Sequence, residues 1–414
     1  MRRSGLWRVG AAAVAAVIVA EAAVWLLRPR DGGIEPASVR ESDYFSEAQL
    51  ERARDYQGGQ RALFVGTIAL QGGVLVVLAL GRPRLVRRRL DALGRRPVLG
   101  AAAAGAGLAL TLALVALPLQ VAAHERAVDV GLSTQGIGAW LADQGKSGAI
   151  GAALAAAGAA ILIALVRRFG RLWWIPATGA VIAIEVVFVW LAPVVLAPLF
   201  NRFEPLREGR ARAEVLELGE RAGVDIGEVY RVDASRRSTA LNAYVDGIGP
   251  TKRVVLYDNL LAGVERPALR SVVAHELAHV KHRDILRGMA WVALVAPLAL
   301  VFVWELGSRL ARRSGADPGT PAALPAFALA LTVATFVLGL VGNQLSREVE
   351  ESADTFALEL TDDPDALIDL QRRLAVANVG DPDPPGIVTN LLRTHPPTIE
   401  RIGAAEAWKE GERP

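Results

Sequence analysis

The sequence predicts a mainly α-helical polytopic membrane protein, with about seven spans carrying an aqueous part of helices and a small β-sheet. Three observations predict it. Hydrophobic residues make up 52% of the 414, and the mean hydropathy is +0.31, more apolar than a soluble chain of this size averages. Apolar runs reach the roughly 20 residues that cross a hydrocarbon core of about 30 Å in seven places. Two polar stretches, 201–284 and 343–414, punctuate those runs and must supply the aqueous part.

The apolar runs fall at 7–27, 63–81, 98–123, 148–166, 172–200, 286–307 and 322–342. The first follows Arg2 and Arg3 but is longer than a signal-peptide core and precedes six more, so it is expected to be an anchor. Runs three and four are crowded with Gly and Ala ("LGAAAAGAGLALTLALVALPL"), which suits close helix approach in lipid. Within 201–284, residues 209–223 have a charged helical pattern, "NAYVDG" (242–247) reads as a strand ending in a turn, and "VVLYDNLL" (254–261) as a strand. "ERPALRSVVAHELAHVKHRDI" then reads as one helix feeding run six, and "QLSREVEESADTFALELT" as a helix continuing from run seven. "DPDPPG" (381–386) is a loop, and there is no internal repeat. The resulting division is 1–200, membrane helices with polar loops; 201–284; 285–342, two further membrane helices; and 343–414.

Composition excludes several classes. A net charge of +3, with arginines scattered in short stretches, gives no support for nucleic-acid binding. With zero cysteine there are no disulfides, thiolate metal sites or cysteine nucleophiles, so any metal must be held by His, Asp or Glu. The alanine, glycine and arginine bias hints at a GC-rich bacterial genome.

Three of the five histidines lie in "VVAHELAHVKH" (272–282). On a helix, residues four apart stand about 40° apart around the axis, so His275 and His279 share a face and can share one metal ion. Zinc suits nitrogen ligands, and a catalytic zinc keeps three protein ligands plus a water. Glu276 cannot reach the same position but can take a proton from that water, the arrangement of HExxH metallopeptidases. In a chain so poor in histidine the pattern arises by chance on the order of once in a few hundred. A third ligand must come from elsewhere, and "SREVEESAD" (346–354) offers it: Glu350 and Asp354 lie one turn apart, the first to ligate and the second to accept a hydrogen bond from an imidazole. Glu348 and Glu351 are close by, and local physics leaves the choice among these carboxylates open. His282 is expected beside the site without ligating, and His124 in a cap over the membrane helices. Glu21, Glu185 and Glu305 fall in or beside apolar runs, where a carboxylate costs several kcal/mol unless it faces protein or water. Glu185 is expected to pair with a neighbouring arginine or to face water.

"AHELAH", "SREVEESADTFAL" and "THPPTIERI", with seven apolar runs in the same order, resemble the type I CAAX prenyl protease family, integral-membrane zinc metalloendopeptidases with a bacterial heat-shock membrane protease as cousin. The likeness extends to 117–147, "APLFNRFEPL" (197–206) and "STALNAYVDGIGPTKRVVLYDNLL" (238–261). It implies a gluzincin-like zinc domain built from 201–284 and 343–414, with one zinc per chain. His275, His279 and Glu350 would hold the metal, Glu276 would be general base and Asp354 its companion. Asn242, Ala243 and Tyr244 would form the edge strand that pairs with peptide, and His395 would face substrate and stabilise the oxyanion. Arg347 matches an arginine near the site and is expected to pair with local carboxylates. The resemblance also implies a water-filled intramembrane chamber, which Glu185 would face. The partners implied are the bilayer and a membrane-associated or lipid-modified peptide or protein. The alternatives are a membrane-protein quality-control protease without prenyl specificity and, in another class, a seven-span transporter or channel with a structural metal.

Two signals conflict on sidedness in the cell membrane. Seven arginines in 82–97 and three each in 167–171 and 309–313, with Arg2 and Arg3, mark those segments as cytoplasmic. Five spans from a cytoplasmic N-terminus put 201–284 outside. The resemblance implies a cytoplasmic catalytic face, and the expectation leans that way; an even number of spans would reconcile the two.

Overall fold

The structure, a computed structural model, describes residues 2–30, 33–81, 83–248 and 252–413. Among them are seven helices long and apolar enough to cross a membrane, so the chain is a multi-pass membrane protein with seven candidate spans among the described residues. They are carried by α1 (Arg2–Leu27), α2 (Glu47–Val76), α4 (Pro97–Asp129), α5 (Ile137–Phe169), α6 (Trp174–Leu191), α10 (Asp284–Arg313) and α11 (Leu324–Thr361); a short helix, α3 (Arg84–Leu93), joins the second and third spans. The expected spans lie in these helices, several of which run well past the membrane. The sidedness conflict therefore stands.

The Gly- and Ala-rich runs pack as expected, α4 along α5. A Cβ on Gly105 would meet the Ala155 carbonyl oxygen at 2.6 Å and the Ala159 methyl at 2.7 Å, so only glycine admits this backbone approach. Two of the three span carboxylates find partners: Glu305 pairs with Arg8 at 2.8 Å, and Glu21 accepts from Gln344 at 3.2 Å. Glu185 has one buried oxygen without a hydrogen bond and pairs with no arginine among the described residues.

The aqueous part holds a four-stranded sheet in the order β1 (Phe203–Pro205), β2 (Glu228–Val232), β4 (Arg253–Tyr257), β3 (Ala243–Asp246). The β2–β4 pair is parallel and the outer two pairs are antiparallel, which leaves β3 at an edge. Helix α7 (Arg210–Ala222) occupies the charged 209–223 segment. Beside the sheet lies α9 (Arg266–Lys281), apolar and buried nearly all round, as befits a central helix. The core around it also draws on Ile34 and Phe45 of the first connection, on Leu358, and on α12 (Pro364–Ala377) and α14 (Thr398–Lys409).

Two boundaries differ from expectation. "VVLYDNLL" is a strand only to Tyr257; Asp258 then opens the short helix α8 (Asp258–Gly263) and accepts from the Ser235 backbone N–H, so the turn is stapled locally. The helix through HExxH does not run unbroken into run six: His282 ends it, Arg283 turns left-handed (φ 58°), and Asp284 starts α10. Run seven does continue into "QLSREVEESADTFALELT" as expected, in α11, a single helix of 38 residues from lipid into the aqueous part.

Replacing Gly105 by Val should splay α4 from α5 and cost about 1–3 kcal/mol, the usual range for an overpacked contact. The check is a lower unfolding temperature of the detergent-purified protein relative to an exposed control such as Gly107→Ala, where a Cβ meets nothing within 4 Å.

Candidate metal centre and active site

Helix α9 presents His275 and His279 on one face, and α11 brings Glu350 against them. His275 Nε2 lies 3.3 Å from His279 Nε2 and 3.2 Å from Glu350 Oε2; His279 Nε2 lies 3.8 Å from Glu350 Oε1. Each imidazole is held from behind. His275 Nδ1 stands 2.9 Å from Asp354 Oδ1, and His279 Nδ1 stands 2.9 Å from Asp284 Oδ2. Those carboxylates assign the N–H to each Nδ1 and leave both Nε2 lone pairs facing inward. The inner cluster is therefore three acceptors with no donor between them. Glu350 Oε2 is also buried without a well-aligned donor, although His395 Nδ1 stands 2.9 Å away. Such a cluster repels itself unless a cation sits within it, and two imidazoles with a carboxylate fit a borderline-soft divalent metal.

The carboxylates are themselves anchored. Arg401, half-buried on α14, grips Asp354 through two bonds of 2.6 Å, and Arg287, one turn along α10, pairs with Asp284. The break at Arg283 has a use here, for it lets α10 restart with Asp284 aimed back at His279. Burial opposes a charge on His275, but the hydrogen bonds and charges of Asp354 and Glu350 outweigh it and hold its pKa up at about 10. A bound cation takes over the role that a proton plays among the protein groups alone.

Glu276 projects beside this cluster. Burial raises its pKa, opposed by the charges of His275 and His279 and, more weakly, by the neighbouring Val245 backbone N–H. Glu276 therefore lies against the edge strand. Asn242 O accepts from Tyr257 N at 3.1 Å, so residues 242, 244 and 246 turn their backbone groups toward β4, and Ala243 and Val245 turn theirs to the open edge. Of the three residues singled out in this strand, only Ala243 presents its backbone to the open side; the Tyr244 ring stacks edge-on against Tyr257, and the Asn242 side chain is exposed. The Asn378 side chain clamps both backbone groups of Leu241, at 2.9 and 3.2 Å, and fixes the strand's entry.

His395 lies beyond α13 (Gly386–Leu392) and is exposed beside Glu350. Arg347 reaches this segment but pairs with no carboxylate. It donates to the carbonyls of Thr389 (3.3 Å) and Arg393 (2.9 Å) and so braces the chain leading to His395. His282 stands apart from the cluster, near Ser352 Oγ at 3.3 Å and edge-on to Phe356. His124 is buried and stacked on Trp140 at the end of α4. Sequence reasoning missed Asp284, Arg287, Arg401 and Asn378. Only Asp284, five residues past His279, left a local signal.

Seven spans around an HExxH helix and a facing glutamate define a membrane-spanning metalloendopeptidase. Residues 205–409 match Peptidase family M48, and residues 36–202 match the CAAX prenyl protease N-terminal region of five membrane helices. The chain belongs to peptidase family M48, and an identity as a transporter or channel is not favoured. It is 28% identical over 378 residues to the uncharacterized metalloprotease YhfN of Bacillus subtilis, covering 90% of this chain and 88% of the relative. It is 32% identical over 259 residues to a CAAX prenyl protease 1 homolog of Oryza sativa, covering 60% and 59%. The crystal structure of S. mikatae Ste24p matches with a TM-score of 0.76 at 18% identity, covering 96% of this chain and 98% of that one; at that identity the likeness is one of fold.

Replacing Asp284 by Asn should weaken metal binding roughly 10- to 100-fold, the usual cost of losing a carboxylate behind a metal-binding imidazole. Competition with a chelator measures it, with unchanged circular dichroism as the folding control.

Proposed function

We propose that the chain holds one zinc ion through His275, His279 and Glu350 and, in the cell membrane, hydrolyses peptide bonds of membrane-associated or lipid-modified polypeptides. One observation carries this: three inward-facing acceptors from two helices, with the carboxylate of Glu276, its pKa raised by burial, beside them. From the relatives' names comes the class of substrate, a lipid-modified chain, and not the CAAX sequence itself.

Zinc bound there supplies Lewis acidity, polarising the scissile carbonyl and lowering the pKa of water. The residues do the rest. Substrate backbone adds along β3 against the outward-facing groups of Ala243 and Val245, a recognition that tolerates varied side chains. Glu276 then removes the proton of the attacking water and delivers it to the departing amine, work suited to a carboxylate whose pKa burial has raised. Asp354 and Asp284 keep the imidazoles in the tautomer that presents Nε2. His395, on its Arg347-braced segment, donates to the oxygen that becomes negative.

Three measurements test this. The purified protein should contain one zinc per chain by elemental analysis. Glu276→Gln should keep that zinc and lose cleavage of a quenched peptide; cleavage undiminished by the change would remove Glu276 from the mechanism. His395→Ala should keep the zinc and lower kcat about 10²–10³-fold, the usual loss for one oxyanion donor.

A further inference from the structure

The two faces of the membrane bundle differ in charge, and the structure fixes which connections belong to each. On one face lie every connection that touches the aqueous domain. Ala37 donates its N–H to Gly403 O, Gln57 reaches Val379 O, and Thr134 Oγ1 donates to Ser235 O at 2.8 Å. On the other face α3 packs through Leu90 and Leu93 against the bundle end, near Ala316 and Ala322 of the connection between α10 and α11. Seven spans put 82–97, 167–171 and 309–313 together on that second face, with the N-terminus.

The second face is strongly cationic. Its connections carry seven, three and three arginines, and Arg2, Arg3 and Arg8 lie in the first turns of α1. Arg84, Arg87, Arg88, Arg89, Arg95 and Arg96 are exposed, and residues 82–97 hold one carboxylate, Asp91, against seven arginines. The face toward the metal centre is balanced. Connection 28–46 holds three arginines against four carboxylates, and 130–136 holds no charge at all. Several cations there are engaged, Arg54 with Glu41, Arg61 with Asp381 at 3.5 Å and Lys146 with Asp143 at 3.2 Å. The 84-residue segment 200–283 is too long for its charges to govern insertion.

Short basic connections stay in the cytoplasm during insertion, and uncompensated arginines at the surface favour the anionic leaflet there. We infer that the metal centre opens on the non-cytoplasmic face and that its substrates are exported or outwardly anchored polypeptides. This rests on the peptidase reading of the site and narrows its substrate class. It departs from the leaning toward a cytoplasmic catalytic face.

The chain has no cysteine, so single cysteines report topology without background. Ser38→Cys lies exposed on the metal-centre side, and Ala92→Cys lies exposed on α3; neither belongs to the site. In intact cells a membrane-impermeant maleimide should label Ser38→Cys, and Ala92→Cys only once the membrane is permeabilised. Loss of Ser38→Cys labelling in intact cells, or Ala92→Cys labelling as readily as Ser38→Cys, overturns the inference. Peptide cleavage and its dependence on Glu276, measured in detergent, are indifferent to orientation. A reversed labelling pattern with activity retained therefore refutes the sidedness alone, and loss of the Glu276 dependence refutes the enzymatic reading alone.

Discussion

Everything in the aqueous part turns on one electrostatic problem: two imidazole lone pairs and a carboxylate are forced within 4 Å of one another. Unaided, that cluster would fly apart. Helices α9 and α11 hold it, one from the core of the soluble domain and the other from lipid. The neighbouring groups exist to keep the three acceptors pointing inward. Asp354 and Asp284 fix the tautomers, Arg401 and Arg287 fix the carboxylates, and the left-handed turn at Arg283 makes room for the second of these arrangements. The guanidinium of Arg401 is tolerable in this half-buried place because it meets the Asp354 carboxylate through two bonds. The rigidity of the centre is thus bought with buried charge.

The membrane architecture was legible in the sequence because lipid imposes a simple rule on length and hydropathy. The spans could be read one run at a time, and each run sits in a helix. The HExxH pair was legible for the same local reason, since four-residue spacing fixes a face before any tertiary contact forms. The nearness of Glu350 was not a local fact. Three carboxylates within four residues look equivalent along a helix, and it is the packing of α11 on α9 that turns one of them inward. Arg401 lies 126 residues from His275 and Asn378 lies 137 from Leu241, separations over which sequence pattern is mute. The break after His282 was misread because His, Arg and Asp carry no strong stop signal, and a helical period simply runs on through them.

The edge strand sets substrate backbone beside the base. The Val245 backbone turns to the open side of the strand, and Glu276 lies against it. Asn378, just past the end of α12, fixes where the strand begins.

Helix α11 is a single rod of 38 residues, about 57 Å at 1.5 Å per residue. Its lipid-embedded half and the half bearing Glu350 cannot move separately. An amputated soluble head would lose the post on which its third ligand stands, so this is a molecule with no detachable blade.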